Sequence, residues 1–195
     1  MITTEEGLKI PQVSVLANTI MLFNDEVYSH CISVANLSAK LVTEAEGFTE
    51  SEKEDIVIGS ILHDIGKIFV PFNLTDNARN LTENEFEIVK THTRIGYEML
   101  RKDFSKVVSN IALYHHERPN GTGYASSLPL ARIPKEALLV QVADIYDALI
   151  SKRRYKNGYD SKAAIEIMKN DCKNFKIDDE YLEVLLSILK KEEVI

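Results

Sequence analysis

The spacing of the apolar residues constrains the fold of this chain more than any other feature. Apolar residues recur at steps of three and four along most of the sequence, as at Leu182, Leu185 and Leu189. This spacing places them on one face of a helix, because an α-helix turns once in about 3.6 residues. No segment alternates apolar and polar residues convincingly, as a half-buried strand would. The pattern therefore predicts an all-α protein.

Start signals and loop residues divide this pattern into separate helices. Thr49 and Thr82 each precede a glutamate by three residues, which is the capping-box arrangement of a helix N-terminus. Asp160 opens another helix, and Gly47 separates the second helix from the third. Boundaries from sequence are uncertain by ~2–4 residues, and with that margin we expect helices at about 11–23, 25–46, 50–64, 82–101, 104–116, 134–151, 160–171 and 178–191. Residues 70–77 and 117–134 have loop composition.

Size and charge limit the architecture and the partners. A chain of 195 residues with 45% apolar content can bury one sizeable core, so we expect a single-domain helical bundle over residues 1–195. A formal net charge of −7 disfavours binding to long nucleic acid, which requires a broad basic surface. The sequence shows neither a membrane span nor a secretion signal. Cys31 and Cys172 form no CxxC pair, which favours a reducing compartment. We therefore expect a cytoplasmic location.

Histidine and aspartate residues carry the strongest functional signal. His63 and Asp64 end a predicted helix whose apolar residues would bury them, and such a pair can bind one metal ion each or bridge two. Asp144 interrupts an apolar run, where an unpaired carboxylate would cost several kcal/mol unless a cation lay nearby. The doublet His115-His116 ends an apolar helix and has no obvious packing role.

The remaining histidines occupy positions that also suit metal binding. His30 follows Glu26 by four residues, so both side chains lie on one helix face and can meet one ion. Each residue alone has an ordinary structural interpretation: His30 as a surface residue, His92 as a core histidine bonded to a carbonyl, and Asp144 as the partner of an arginine. The whole set favours a metal centre, because every histidine in the chain occupies a plausible ligand position.

Several short motifs in a fixed order link the chain to a known family. They are His30, His63-Asp64-Ile65-Gly66-Lys67, His92, His115-His116-Glu117, Gly121-Thr122-Gly123-Tyr124 and Asp144-Ile145-Tyr146-Asp147-Ala148-Leu149. In this order they resemble the HD superfamily, and specifically its HD-GYP branch of cyclic dinucleotide phosphodiesterases. The resemblance covers roughly residues 24–156. It implies a helical bundle with two or three iron or manganese ions that hydrolyses cyclic di-GMP or a related cyclic dinucleotide.

The resemblance also assigns roles to residues of this chain. A hydroxide held between two of the ions would attack the phosphodiester, with Asp64 and Lys67 as catalytic residues. Glu26 and His30 match the ligands of the additional ion in trinuclear members, which favours three ions, and Asp25 is an alternative to Glu26. The implied metal ligands are Glu26, His30, His63, Asp64, His92, His115, His116 and Asp144.

Substrate contacts are implied for Gly123, Tyr124, Asp147, Arg153 and Lys156. From the residues alone, other interpretations stay open. Arg153 and Lys156 can equally belong to a solvated charge run. Asp147 can orient a metal ligand or cap the helix surface. Tyr124 can pack on the bundle.

Three departures from the family pattern concern substrate binding and turnover. The namesake Gly-Tyr-Pro reads Gly123-Tyr124-Ala125, which removes the fixed backbone angle of proline. Arg154 stands where the family usually has proline, and Asn24 where it often has a carboxylate. None of these departures alters an implied metal ligand.

Two other functions compete with phosphodiesterase activity. One is a catalytically weak module that binds a cyclic dinucleotide or a partner protein, which the altered loop favours. The other is a related reaction on the same bundle, either hydrolysis of another nucleotide or oxygenation by a di-iron pair. Few residues precede the motifs, so we expect regulation to come from a separate sensor protein, from oligomerisation or from metal occupancy. The sequence leaves open the oligomeric state and whether the chain is part of a longer protein.

Overall fold

The computed structural model describes residues 2–75, 79–152 and 157–195. Within these ranges it contains ten α-helices, two short 3-10 helices at Ile65–Phe69 and Leu130–Arg132, and no strand. The all-α prediction is confirmed. In the described part of the chain, no helix combines the length and apolar content needed to cross a membrane. The α-helices are α1 (Thr4–Gly7), α2 (Pro11–Phe23), α3 (Asp25–Glu44), α4 (Glu50–Leu62), α5 (Phe72–Thr75), α6 (Glu83–Leu100), α7 (Lys106–Tyr114), α8 (Lys135–Ile150), α9 (Ser161–Lys173) and α10 (Asp179–Lys191).

All eight helices expected from the sequence are present, with ends that differ by at most two residues. Helix α4 ends at Leu62, so His63 and Asp64 lie just beyond it, and Asp64 precedes the first 3-10 helix. Helices α1 and α5 were not predicted, and α5 occupies a segment expected to be a loop. Each has four residues, which is too short to show a helical period. The expectation of a single domain stays a prediction.

The predicted capping boxes form at both helix N-termini. The side chain of Thr49 accepts from the backbone N–H of Glu52, and the carboxylate of Glu52 accepts from the backbone N–H of Thr49. Thr82 and Glu85 make the same reciprocal pair at the start of α6. These bonds satisfy backbone donors that have no partner within the helix, and so fix where α4 and α6 begin.

Helix α3 is the central element of the packing. It contacts α4 and α8, and α7 in turn contacts α4, α6 and α8. Two apolar clusters result, one in which α8, α9 and α10 pack on α3, and one among α2, α3, α4 and α7. Helix α3 contributes Leu41 to the first and Ala35 to the second. The residues expected to bind metal project from α3, α6 and α8 and from the C-terminal ends of α4 and α7, so packing of these helices assembles the site.

Gly66 allows the segment after Asp64 to touch α6. A Cβ atom at Gly66 would lie 2.0 Å from the carbonyl oxygen of His92 and 2.7 Å from the backbone nitrogen of Gly96. Both are backbone atoms of a regular helix and cannot move aside independently. The glycine is therefore needed because two backbones approach closely, and this approach places Asp64 beside His92.

We predict that Gly66→Ala lowers the free energy of unfolding by about 2–3 kcal/mol, since the added methyl group must force α6 away. Urea denaturation measures the change. Gly7→Ala is the control, because its Cβ would meet only the ends of movable side chains, Cδ1 of Ile61 at 3.1 Å and Cδ1 of Ile2 at 3.6 Å. Equal stability losses in the two variants would contradict the close-approach explanation.

Candidate metal centre

Seven of the eight implied metal ligands converge in the structure. Ligand atoms of Asp64, His92, His115 and His116 lie within 4.8 Å of one another, and so do those of His30, His63 and Asp144. We name these seven residues the ligand cluster. Five of them are buried, and His30 and His116 are partly exposed. The sequence predicted this convergence of residues that are distant along the chain.

Three imidazoles of the ligand cluster are fixed by the same hydrogen bond. In each, Nδ1 lies close to a backbone carbonyl oxygen one turn earlier: 2.7 Å for His63, 2.6 Å for His92 and 2.9 Å for His115. A carbonyl oxygen can only accept, so Nδ1 carries the hydrogen, and Nε2 holds a lone pair whenever the ring is neutral. All three Nε2 atoms are buried without a hydrogen-bond partner. Metal-binding histidines typically have this arrangement.

Asp64 faces these lone pairs with one carboxylate oxygen. Its Oδ1 lies 3.3 Å from Nε2 of His92 and 3.9 Å from Nε2 of His115, and it has no hydrogen-bond partner. Its Oδ2 contacts Nζ of Lys67 at 2.5 Å and lies 3.5 Å from Nε2 of His63. Lone pairs that face one another in a buried space repel, and leaving them unpaired is costly. A cation between these atoms would remove that cost, so the donor set fits a metal ion.

The pKa shifts keep most of the donors in the form that metals bind. Burial lowers the pKa of His92 to about 4 and that of His115 to about 3, so both imidazoles are neutral at pH 7. Burial alone would raise the pKa of Asp64, but the charges of Lys67 and His63 hold it well below its ordinary value. Asp64 is therefore anionic, and His92, His115 and Asp64 need lose no proton before they bind a cation. Burial lowers the pKa of His63, but the charge of Asp64 outweighs burial and raises it, so His63 must lose a proton first.

His30 lies between two carboxylates of α8. Its Nε2 is 2.9 Å from Oδ1 of Asp144, and its Nδ1 is 2.6 Å from Oδ2 of Asp147. Burial lowers the pKa of His30, but the hydrogen bonds to the two carboxylates outweigh burial and raise it to about 9. Without a metal, the imidazole of His30 is therefore protonated on both nitrogens and positively charged at pH 7. Asp147 can orient His30 through Nδ1 while Nε2 faces Asp144, as carboxylates often do behind a metal-binding histidine.

Glu26 is the implied ligand that the structure does not bring into a ligand group. No group of potential ligands found among the described residues includes Glu26 or its alternative Asp25. Both line a cavity of about 350 Å³ together with His30, Lys67 and Asp147, which we name the larger cavity. Arg153 and Lys156, the implied basic substrate contacts, lie outside the described residues.

Cys31 is a candidate ligand that the sequence did not indicate. The thiol is buried, and its Sγ forms a group with ligand atoms of His63 and Asp64, all within 4.8 Å of one another. A cysteine on an apolar helix face is normally a core residue, so no sequence signal distinguished this one.

The backbone ties Gly123 and Tyr124 to the histidine doublet. The backbone N–H of Tyr124 donates to the carbonyl oxygen of His116 at 3.2 Å, and the two rings lie 4.7 Å apart. A Cβ atom at Gly123 would lie 2.4 Å from the backbone nitrogen of Arg118 and 2.5 Å from the carbonyl oxygen of His116. The loop with the expected substrate contacts therefore rests directly on a segment of the ligand cluster.

Glu117 holds the rest of this loop, a role that sequence reasoning missed. Its side chain is fully buried, and its two carboxylate oxygens accept from the backbone N–H groups of Ser126 and Leu128 at 2.6 and 3.0 Å. These bonds fix the segment that follows Ala125, where the family has proline. The only sequence signal for Glu117 was its place directly after His115-His116.

The helical bundle and its buried cluster of imidazole and carboxylate groups place the chain among all-α proteins with a candidate metal centre. The chain belongs to the HD domain family, whose model matches residues 14–181. This match confirms the superfamily that the motif order indicated.

Curated relatives agree with this assignment. The chain is 44% identical over 130 residues to the cyclic di-GMP phosphodiesterase response regulator RpfG of Xanthomonas campestris pv. campestris, covering 65% of this chain and 34% of the relative. It is 39% identical over 150 residues to a cyclic di-GMP phosphodiesterase of Thermotoga maritima, covering 75% of this chain and 40% of the relative. The chain thus spans about a third to two fifths of the length of these relatives.

A solved structure shows the same fold. The HD domain of the Listeria monocytogenes phosphodiesterase PgpH, in complex with cyclic di-AMP, aligns with a TM-score of 0.64 at 19% identity, covering 87% of this chain and 91% of that one.

We predict that Glu117→Gln lowers the free energy of unfolding by about 1–3 kcal/mol. The amide keeps one acceptor oxygen but points an NH₂ group at a backbone N–H, so one buried bond is lost. Urea denaturation measures the change. Glu183→Gln, at an exposed position of α10, is the matched control and should change stability little. Equal effects in both variants would refute the buried role of Glu117.

Proposed function

We propose that this chain is a metal-dependent phosphodiesterase that hydrolyses a cyclic dinucleotide. The observation that carries the proposal is the set of buried, unpartnered lone pairs on His63, His92, His115 and Asp64, which fits divalent metal ions. The names of the two curated relatives support the reaction and the substrate class.

Iron or manganese suits these nitrogen and oxygen ligands. His92, His115 and His116 with Asp64, and His63 with Asp144, would hold two ions, and His30 and Glu26, which both line the larger cavity, would hold a third. When bound, such ions lower the pKa of coordinated water and withdraw charge from phosphate oxygens.

The chain's own residues would set the geometry of the reaction. Asp64 faces both ligand groups, with Oδ1 towards His92 and Oδ2 towards His63. Asp144 also faces both, because its two oxygens lie 2.9 Å from Nε2 of His30 and 3.9 Å from Nδ1 of His116. Both carboxylates would therefore help to hold the ions of the centre.

Lys67 would contribute a positive charge next to this bridge. Its ammonium group contacts Asp64 and also lines the larger cavity. A phosphate in that cavity would meet Lys67 directly, and charge on the transition state would be stabilised there. The cavity volume of about 350 Å³ is in the range of small-molecule sites, ~300–1,000 Å³. We propose Gly123, Tyr124, Asp147, Arg153 and Lys156 as substrate contacts.

The test is to load the protein anaerobically with Fe(II) or Mn(II) and to follow cyclic di-GMP by chromatography. We expect the linear dinucleotide to appear and the metal-free protein to be inactive. Unchanged substrate after hours at micromolar protein would contradict the proposal. Tight binding without product would instead favour the catalytically weak binding module.

We predict that Asp64→Asn reduces bound metal and lowers turnover by at least about 100-fold, because a neutral amide cannot bridge two cations. Metal content per chain and hydrolysis of cyclic di-GMP are both measured. Asp179→Asn, on the exposed start of α10, makes the same chemical change away from the site and should retain metal and activity. Full metal content and activity in Asp64→Asn would show that the site is wrongly assigned.

A further inference from the structure

A second cavity adjoins the ligand cluster. Its lining includes Phe86, Lys90, His116, Tyr124 and Gln141, and we name it the smaller cavity. Its volume is about 180 Å³, and it shares no lining residue with the larger cavity. Drug-sized ligands occupy clefts of ~300–1,000 Å³, so the smaller cavity can take only one part of such a ligand.

Two aromatic rings form one side of the smaller cavity. The ring of Tyr124 packs on that of His116, and the ring of Phe86 meets Tyr124 edge-on at 6.0 Å. Phe86 is 43% exposed, which leaves part of its ring accessible. Nucleobases stack on aromatic side chains because every base presents a flat π-face. Phe86 and Tyr124 therefore offer a surface that suits a base.

Gln141 supplies a hydrogen-bond acceptor that has no partner. The residue is 3% exposed, and its Nε2 donates to the carbonyl oxygen of Glu117. That carbonyl can only accept, so the orientation of the amide is fixed and Oε1 is the free atom. Oε1 is buried without a hydrogen-bond partner. A buried acceptor in the lining of a cavity indicates a ligand that donates an N–H group there.

Lys90 supplies donors at the same cavity. Its ammonium group lies 4.9 Å from the centre of the Phe86 ring and 5.7 Å from that of Tyr124. It also pairs with Glu87 at 2.6 Å, but that carboxylate is 69% exposed, and such surface pairs contribute little. A ligand can therefore replace Glu87. An ammonium group only donates, so its partner on the ligand must be an acceptor.

We propose that the smaller cavity binds a guanine base of the cyclic dinucleotide, an inference that rests on the proposed function. Guanine presents O6 and N7 as acceptors to Lys90 and amino hydrogens as donors to Gln141. Adenine shares the N7 acceptor but has an amino group where guanine has O6, so in the same orientation it would place a donor against the ammonium group. Lys90 and Gln141 thus select guanine over adenine, while Phe86 and Tyr124 provide stacking for either base.

Calorimetric binding of cyclic di-GMP and cyclic di-AMP to the metal-loaded protein tests this inference. We expect the wild type to bind cyclic di-GMP at least about tenfold more tightly. Lys90→Met should weaken binding of cyclic di-GMP about tenfold and leave binding of cyclic di-AMP nearly unchanged, whereas Lys90→Arg should keep most of the preference. Lys102→Met, which removes an exposed lysine just beyond α6, is the matched control and should bind as the wild type does.

Hydrolysis of bis(p-nitrophenyl) phosphate, a diester without a nucleobase, by the wild type reports separately on the metal centre. Equal affinity of the wild type for the two dinucleotides would overturn the guanine site. So would an equal loss of both affinities in Lys90→Met. Binding of cyclic di-GMP without product would count against the proposed hydrolysis alone, because the affinities still decide the guanine site. Absence of binding to either dinucleotide would overturn both.

Discussion

A repeated hydrogen bond organises the centre of this protein. His63, His92 and His115 each donate Nδ1–H to a carbonyl oxygen of their own helix, which directs Nε2 towards the same buried space. Asp64 directs a carboxylate oxygen into that space as well. These atoms repel one another unless a cation lies among them, so the helices that bring them together gain stability from a bound metal. Metal binding would therefore stabilise the folded bundle.

Hydrogen bonds connect the ligand cluster to the loop that follows His116 and contains Tyr124. His116 belongs to the cluster, while the next residue, Glu117, holds the loop through two backbone amides. Tyr124 in turn donates to the carbonyl oxygen of His116. Gln141 of α8 donates to the carbonyl oxygen of Glu117, which connects this loop to the helix that contains Asp144. The proposed substrate contacts and the ligand cluster are thus placed by a shared set of hydrogen bonds, so a substitution at one should affect the other.

The sequence predicted the long helices and every member of the ligand cluster, because both leave local signals. Helical periodicity identified α2 to α4 and α6 to α10, and the order of histidine motifs identified residues that only the fold brings together. Sequence could not reveal Cys31, Glu117 or Gln141 in their roles, because each depends on what a buried side chain meets from another segment. It also grouped Glu26 with His30 from helical spacing. In the structure both residues line the larger cavity, and His30 contacts Asp144 and Asp147 of α8.

Anomalous scattering from crystals of the protein loaded with Mn(II) or Fe(II) tests the central claim most directly. The predicted result is two or three anomalous peaks within bonding distance of the ligand cluster, with one ion contacted by Nε2 of both His92 and His115. Peaks only at surface carboxylates, with the buried imidazoles unoccupied at saturating metal, would contradict it.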